Sequence, residues 1–196
     1  RTPKPAKLYR TTPWQRAYQV GIVENIERNK AIVIEAARAV SHGLPVMILV
    51  QHKKHGNLLK KLIAERTRAT VEFIYGEHEQ KDRKAALKRL ASGKTQILIG
   101  STILDVGVDV PAVGMVILAG GGKAEVALRQ RIGRGLRAKK TGPNVCFIVD
   151  FEDADNNHLK THALARRRIV ESTPGFAERI LRPGQDFDYR QFEAAA

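Results

Sequence analysis

The chain carries one cysteine, Cys146, among 196 residues. An internal disulfide and a cysteine-based zinc site are therefore excluded, and a reducing compartment fits. No apolar run approaches the ~18 residues a membrane-spanning helix needs. The first ten residues, RTPKPAKLYR, are basic but lack the apolar stretch of a secretion signal. We expect a soluble, cytoplasmic protein with no membrane partner. There is no initiator Met, and the chain closes on EAAA. The expectation is an excised piece of a longer protein with foreign residues at its C-terminus. Acid is scarce: Asp plus Glu is 20 against 34 Lys plus Arg, a formal net charge of +14. An imbalance of that size points to a polyanionic partner, most simply nucleic acid, and says nothing about fold.

The remaining composition, 43% hydrophobic and 28% charged, is that of an ordinary globular protein. A chain of this length makes one domain, with room for an appendage, and buries a core without staples. Residues 1–22, with Pro3, Pro5 and Pro13, show no sustained period and read as an N-terminal arm or interdomain linker. A helical pattern follows from about residue 24, with Ile26, Val33, Ala37 and Val40 on one face and Gly43 as its C-terminal stop. Val46-Met47-Ile48-Leu49-Val50 is short, β-prone and uninterrupted, as expected of a strand buried on both faces. Helices and strands then alternate. The spacing predicts helices over about 57–66 (burying Leu58, Leu59, Leu62 and Ile63), 79–91 and 123–131. It predicts strands over 71–75, 96–100, 115–119 and 145–150. Such alternation means right-handed crossovers and a mainly parallel open sheet of five or more strands, with helices on both faces. Residues 23–152 form this α/β domain, and 153–196 a polar C-terminal extension with a helix near 158–171.

Ligands of open parallel sheets bind beyond the carboxyl ends of the strands. The segments to inspect therefore follow Val50, Tyr75, Gly100, Ala119 and Asp150. They hold Gln51–Gly56, Gly76–Arg83, Ser101–Pro111 and, further on, Gln130-Arg131-Ile132-Gly133-Arg134-Gly135-Leu136-Arg137. In the last, Arg131, Arg134 and Arg137 recur every third residue with two glycines between. Guanidinium forks match phosphate oxygens bidentately. A solvated basic helix face is the bland alternative, and the glycines oppose it, because each costs about 1 kcal/mol inside a helix.

ILIGSTILDVGVDVP followed by QRIGRGLR resembles motifs V and VI of the superfamily-two helicases. ILVQHKKHG resembles motif IV, and Gly76 with Gln80 and Arg83 resembles the segment after the next strand. The likeness covers about residues 24–151 in order, and is nearest to the DNA-repair-type group that includes XPB and UvsW. It implies a RecA-like fold and the C-terminal half of an ATP-dependent helicase or translocase. By that likeness Arg134 and Arg137 are arginine fingers. Gly107, Asp109 and Gln130 meet the nucleotide, with Asp109 on the ribose. Thr102, His52, Lys53, Gly76 and Arg83 serve the nucleic-acid strand. For His52 and Lys53 a plain polar loop is an equal reading. ATP and Mg²⁺ are the implied cofactors, held mainly by an N-terminal RecA-like half, the implied partner. The other partner is nucleic acid; the subgroup implies DNA, and RNA stays open. The isolated piece is expected not to turn over ATP. The alternative is a non-catalytic RecA-like module that binds nucleic acid or a partner.

Three patterns mislead. Gly93-Lys94-Thr95 imitates the tail of a phosphate loop, but position 88 is Lys and the triplet precedes a strand instead of following one. Gly133-x-Gly135-x-x-Ala138 fits the dinucleotide pattern but follows a helical segment. His158 and His162 have metal-pair spacing with no third ligand beside them but the 150–155 acidic run, so no metal site is expected. Trp14 and Tyr18, i and i+4, are read as packing the arm onto the domain rather than stacking on a base.

Overall fold

A computed structural model describes residues 4–101, 113–122, 146–172, 180–182 and 184–190. Its five strands are β1 (Val46–Leu49), β2 (Val71–Ile74), β3 (Ile97–Gly100), β4 (Met115–Leu118) and β5 (Phe147–Val149). They form one sheet in the order β2-β3-β1-β4-β5, every pair parallel. β1 is central: Ile48 lies between Ile99 of β3 and Ile117 of β4. Every residue of β1, β3 and β4 is buried. Alternate side chains feed two layers. Val46 and Ile48 pack under α2 (Ile26–Ser41) and α3 (Lys53–Arg66), while Met47 and Leu49 pack against α4 (Gln80–Ala91) on the other face. This explains why the strands read as continuous apolar runs instead of alternating ones.

The buried face of α2 departs from expectation. Ile32, Val33, Ala36 and Ala39 point inward, whereas Ile26 is 68% exposed and Ala37 and Val40 are half-buried. The first turn of α2 buries Arg28 and Asn29 instead, so apolar periodicity fails at that end. Asn25 caps the helix, its side chain accepting from Arg28 N–H at 3.1 Å. Gly43 does end α2, at φ +74°, with Gly43 N–H on Val40 O (2.9 Å) and Leu44 N–H on Ala39 O (3.0 Å). That paired closure places one residue in the left-handed region, where glycine carries no Cβ penalty.

α3 begins at Lys53, ahead of the expected start at 57, so Lys53–Gly56 is a helical turn rather than a loop. Leu59 and Ile63 are buried as expected, while Leu58 and Leu62 are only half-buried. The extra turn has no apolar period to announce it. It holds because His55 is buried and Gly56 lies against the Phe73 ring, where no Cβ fits. At the end of α4, Gly93 N–H bonds Leu90 O at 3.2 Å. Thr95, 2% exposed, donates its hydroxyl to Glu72, which also takes the Arg89 fork at 2.8 and 2.6 Å. The Arg89 hydrogen bond, then that of Thr95, holds the Glu72 carboxyl below the usual carboxylate range. Gly93-Lys94-Thr95 is thus a helix stop and a strut between α4 and β2.

The arm forms α1 (Trp14–Tyr18) and a π-helix over Gln19–Val23. Leu8, Ala17, Tyr18, Ile22 and Val23 make their own apolar cluster with Leu159 of α5 (Asn157–Ser172). Trp14 lies between Tyr18 (ring centroids 5.4 Å) and His162 (4.5 Å), so the aromatic pair packs arm to extension. Asn156 Nδ2 donates to the carbonyls of Tyr9 (2.8 Å) and Thr12 (2.9 Å). Beyond α5, Tyr189 returns to the main core beside Phe147. Residues on both sides of positions 22 and 152 therefore share cores.

Candidate functional site

Because all five strands run parallel, their carboxyl ends share one edge. That edge gathers Gln51–Lys53 after β1, Gly76 after β2, Ser101 after β3, Ala119–Gly122 after β4 and Asp150 after β5. Thr102, Gly107, Asp109, Gln130, Arg134 and Arg137 lie outside the described residues, as do the expected helix over 123–131 and the glycine pattern at 133–138. Ser101, one residue before Thr102, is anchored to the sheet by its N–H on Ile74 O at 3.3 Å.

His52 stands at the N-cap of α3, exposed, its ring 4.9 Å from that of Tyr18. Lys53 Nζ is 2.9 Å from Glu77 Oε2 and 4.2 Å from the centre of the Tyr75 ring. Its hydrogen bond to Glu77 raises its pKa and keeps the ammonium charged. An exposed pair of this kind is weakly held, so Lys53 can exchange the carboxylate for a phosphate oxygen. Arg83 bends back on the loop: Nη2 donates to Gly76 O at 2.8 Å and Nε to His78 O at 3.1 Å. It therefore shapes the turn after β2. Gly76, His52 and Lys53 come together at the edge, and Arg83 braces it from behind.

Sequence reading missed the buried polar groups under this edge. The Arg28 side chain is 0% exposed and grips Asp153, Nε to Oδ1 at 3.1 Å. The Arg166 side chain, also 0% exposed, grips Asp150 at 3.0 Å. No local signal reveals such pairs, because Arg28 and Asp153 are 125 residues apart in sequence.

His55 is the third missed residue. Asn29 Nδ2 donates to Val23 O at 2.8 Å, so its Oδ1 faces His55 Nε2 at 2.9 Å as an acceptor. The proton of the neutral imidazole is thereby assigned to Nε2. Burial pushes the His55 pKa from 6.5 down to about 3, with the Arg28 and His52 charges adding to it. The unfolded chain takes up a proton below pH 6.5 and the folded one does not until about pH 3. Stability is therefore complete above that window and lost as pH falls through it, by about 1.4 kcal/mol per pH unit. Urea midpoints measured from pH 7 down to 4 should fall with this slope. His55→Gln keeps an amide donor for Asn29 and should flatten the profile; an unchanged slope would assign the acid sensitivity to other groups.

Among the described residues, no three side chains of His, Cys, Asp or Glu gather as a metal site. No described helix is long and apolar enough to cross a membrane.

A five-stranded parallel sheet bearing these segments on its carboxyl edge defines a RecA-like α/β domain of the superfamily-two helicase type. The chain belongs to the family described as helicase conserved C-terminal domain, which matches residues 27–139. It is 30% identical over 135 residues to the pre-mRNA-splicing ATP-dependent RNA helicase PRP28 of Cryptococcus neoformans, covering 69% of this chain and 18% of that protein. It is 35% identical over 92 residues to the ATP-dependent DNA helicase homolog RECG1 of Arabidopsis thaliana, covering 45% of this chain and 9% of that one. The fold is similar to the crystal structure of T4 UvsW at a TM-score of 0.66 and 23% identity, over 82% of this chain and 35% of that one.

Proposed function

We propose that the chain is the C-terminal half of an ATP-dependent nucleic-acid helicase or translocase, completing an ATPase site opened by an N-terminal RecA-like half. The observation that supports this is placement: the helicase-like segments after β1 and β2, and the strand end leading into Thr102, share one edge of one sheet. The described residues do not fit a triphosphate grip, since the Thr95 hydroxyl of Gly93-Lys94-Thr95 is taken by Glu72. The triphosphate and Mg²⁺ are therefore assigned to the N-terminal half. Hydrolysis of ATP supplies the free energy for movement. In this half Gly107, Asp109 and Gln130 would border the nucleotide, and Arg134 and Arg137 would reach its phosphates across the cleft. Thr102, His52 and Lys53 would hold the strand through its phosphates, which are contacts that position without reading sequence.

DNA is the strand class we favour, supported by the resemblance of the motifs to the DNA-repair-type group. RNA is the second reading, favoured by the 30% identity to an RNA helicase. ATPase assays of the full-length protein with single-stranded, duplex and forked DNA and with RNA test both. Stimulation by DNA above RNA is the expected result, and RNA alone as activator would move the assignment to RNA. This 196-residue chain by itself should not turn over ATP above a mock preparation; turnover would sink the two-half reading. If no strand stimulates the full-length protein, the non-catalytic binding module stands instead.

A further inference from the structure

The turn after β4 is held from several sides at once, which is unusual for a connection on a sheet edge. Arg28 Nη1 donates to Ala119 O at 2.6 Å, and Arg166 Nη1 donates to Gly121 O at 2.8 Å. Each guanidinium is itself fixed by a carboxylate. Arg28 meets Asp153 at 3.1 and 3.4 Å, and Arg166 meets Asp150 Oδ1 and Oδ2 at 3.0 and 3.2 Å. Arg166 Nη2 also donates to Phe151 O at 3.1 Å and lies 3.8 Å from Asp153, so the two pairs form one network. Both arginine side chains are fully buried, and Asp153 is 4% exposed. Gly121 sits at φ +67°, where an added Cβ would lie 2.7 Å from Ile22. A Cβ on Gly122 would run into the Gln51 amide at the end of β1.

Desolvating two guanidiniums is expensive, and apolar side chains of similar volume fill a core at least as well. What apolar side chains cannot do is grip two specific backbone carbonyls. The gripped turn ends at Gly122, and the next residues, from Lys123, lead to Gln130, Arg134 and Arg137. We propose that Arg28 and Arg166, seated on Asp153 and Asp150, are positioning residues that set the departure of the chain from β4 and so aim the arginine-bearing segment. They touch neither nucleotide nor strand, and act through the backbone of Ala119–Gly122. The α2 and α5 helices thereby become part of the ATPase apparatus although neither carries one of the recognised motifs. This rests on the assignment of Arg134 and Arg137 given above.

The test uses the full-length protein, comparing wild type with Arg166→Lys, Gly122→Ala and Glu72→Gln. Lys keeps a buried charge but cannot span Asp150 and the Gly121 carbonyl together. Gly122→Ala disturbs the exit without touching a charge, and remains informative if Arg166→Lys fails to fold. Glu72→Gln loosens the remote α4–β2 strut and controls for lost stability alone. The first readout is amide hydrogen exchange across residues 123–145, independent of activity. The clamp variants should speed it about tenfold while the control leaves it unchanged. The second is strand-stimulated hydrolysis, where kcat should drop about 10- to 100-fold in the clamp variants with KM for ATP little altered. Exchange over 123–145 that is unchanged, or changed equally in the control, overturns the proposal. So does a kcat loss no greater than that of Glu72→Gln in an active protein. If wild type shows no strand-stimulated hydrolysis, the functional assignment fails, and the exchange comparison alone then decides whether the clamp orders 123–145.

Discussion

Arg134→Lys and Arg137→Lys should each abolish most strand-stimulated ATP hydrolysis by the full-length protein while ATP still binds. As phosphoryl transfer proceeds, negative charge spreads over the oxygens of the transferred group, and a guanidinium reaching across the cleft stabilises it. A finger of this kind is worth on the order of 10³ to 10⁵ in turnover in related phosphate-loop enzymes. The contact strengthens between ground state and transition state, so rate should fall far more than nucleotide affinity. Lys retains the charge but not the planar fork, so rescue should be poor. Arg129→Lys, one residue upstream of the motif, should leave turnover nearly intact. Single-turnover hydrolysis and nucleotide titration of the three variants separate the possibilities. Equal, modest losses in all three would make the cluster a generic basic face and remove the finger assignment.

Stability should respond most to Arg28→Met. Arg28 is fully buried, stacks 4.4 Å from the centre of the Phe151 ring and holds both oxygens of Asp153. Removing it leaves a carboxylate without its guanidinium in a dry site, and the Ala119 carbonyl without this donor. Breaking one side of such a pair costs about 3–5 kcal/mol. Arg28→Met combined with Asp153→Leu removes the orphaned charge and should recover a large part of that loss. Urea unfolding of the single and double variants makes the comparison. A double variant no more stable than the single one would mean that the backbone grip and ring packing, not the ion pair, carry the stabilisation. Lys53→Met breaks an exposed pair and should leave the midpoint where it is.

Much of this molecule was legible from residues alone. The five strands were, because Val46–Val50, Ile97–Gly100 and Met115–Leu118 are apolar without interruption, and a strand covered on both faces has no polar side to show. The closure of α2 was legible in Gly43, since few other residues take φ +74° cheaply. The rejection of Gly93-Lys94-Thr95 as a phosphate grip followed from its place before a strand, and Thr95 is found bonded to Glu72. His52, Lys53 and Gly76 could be assigned to one edge before any coordinates, because parallel strands put their carboxyl ends together.

Tertiary structure decided the rest, where polar groups are buried. The inward face of α2, the early start of α3 and the pairing of Arg28 with Asp153 all depend on polar side chains that leave solvent only because a distant partner meets them. Hydrophobic periodicity records apolar burial and is blind to that. The same holds for the arm, whose Leu8, Tyr18 and Ile22 find cover in Leu159 of α5. A short segment with few apolar residues has no amphipathic period of its own, and folds against whatever surface the chain returns to it.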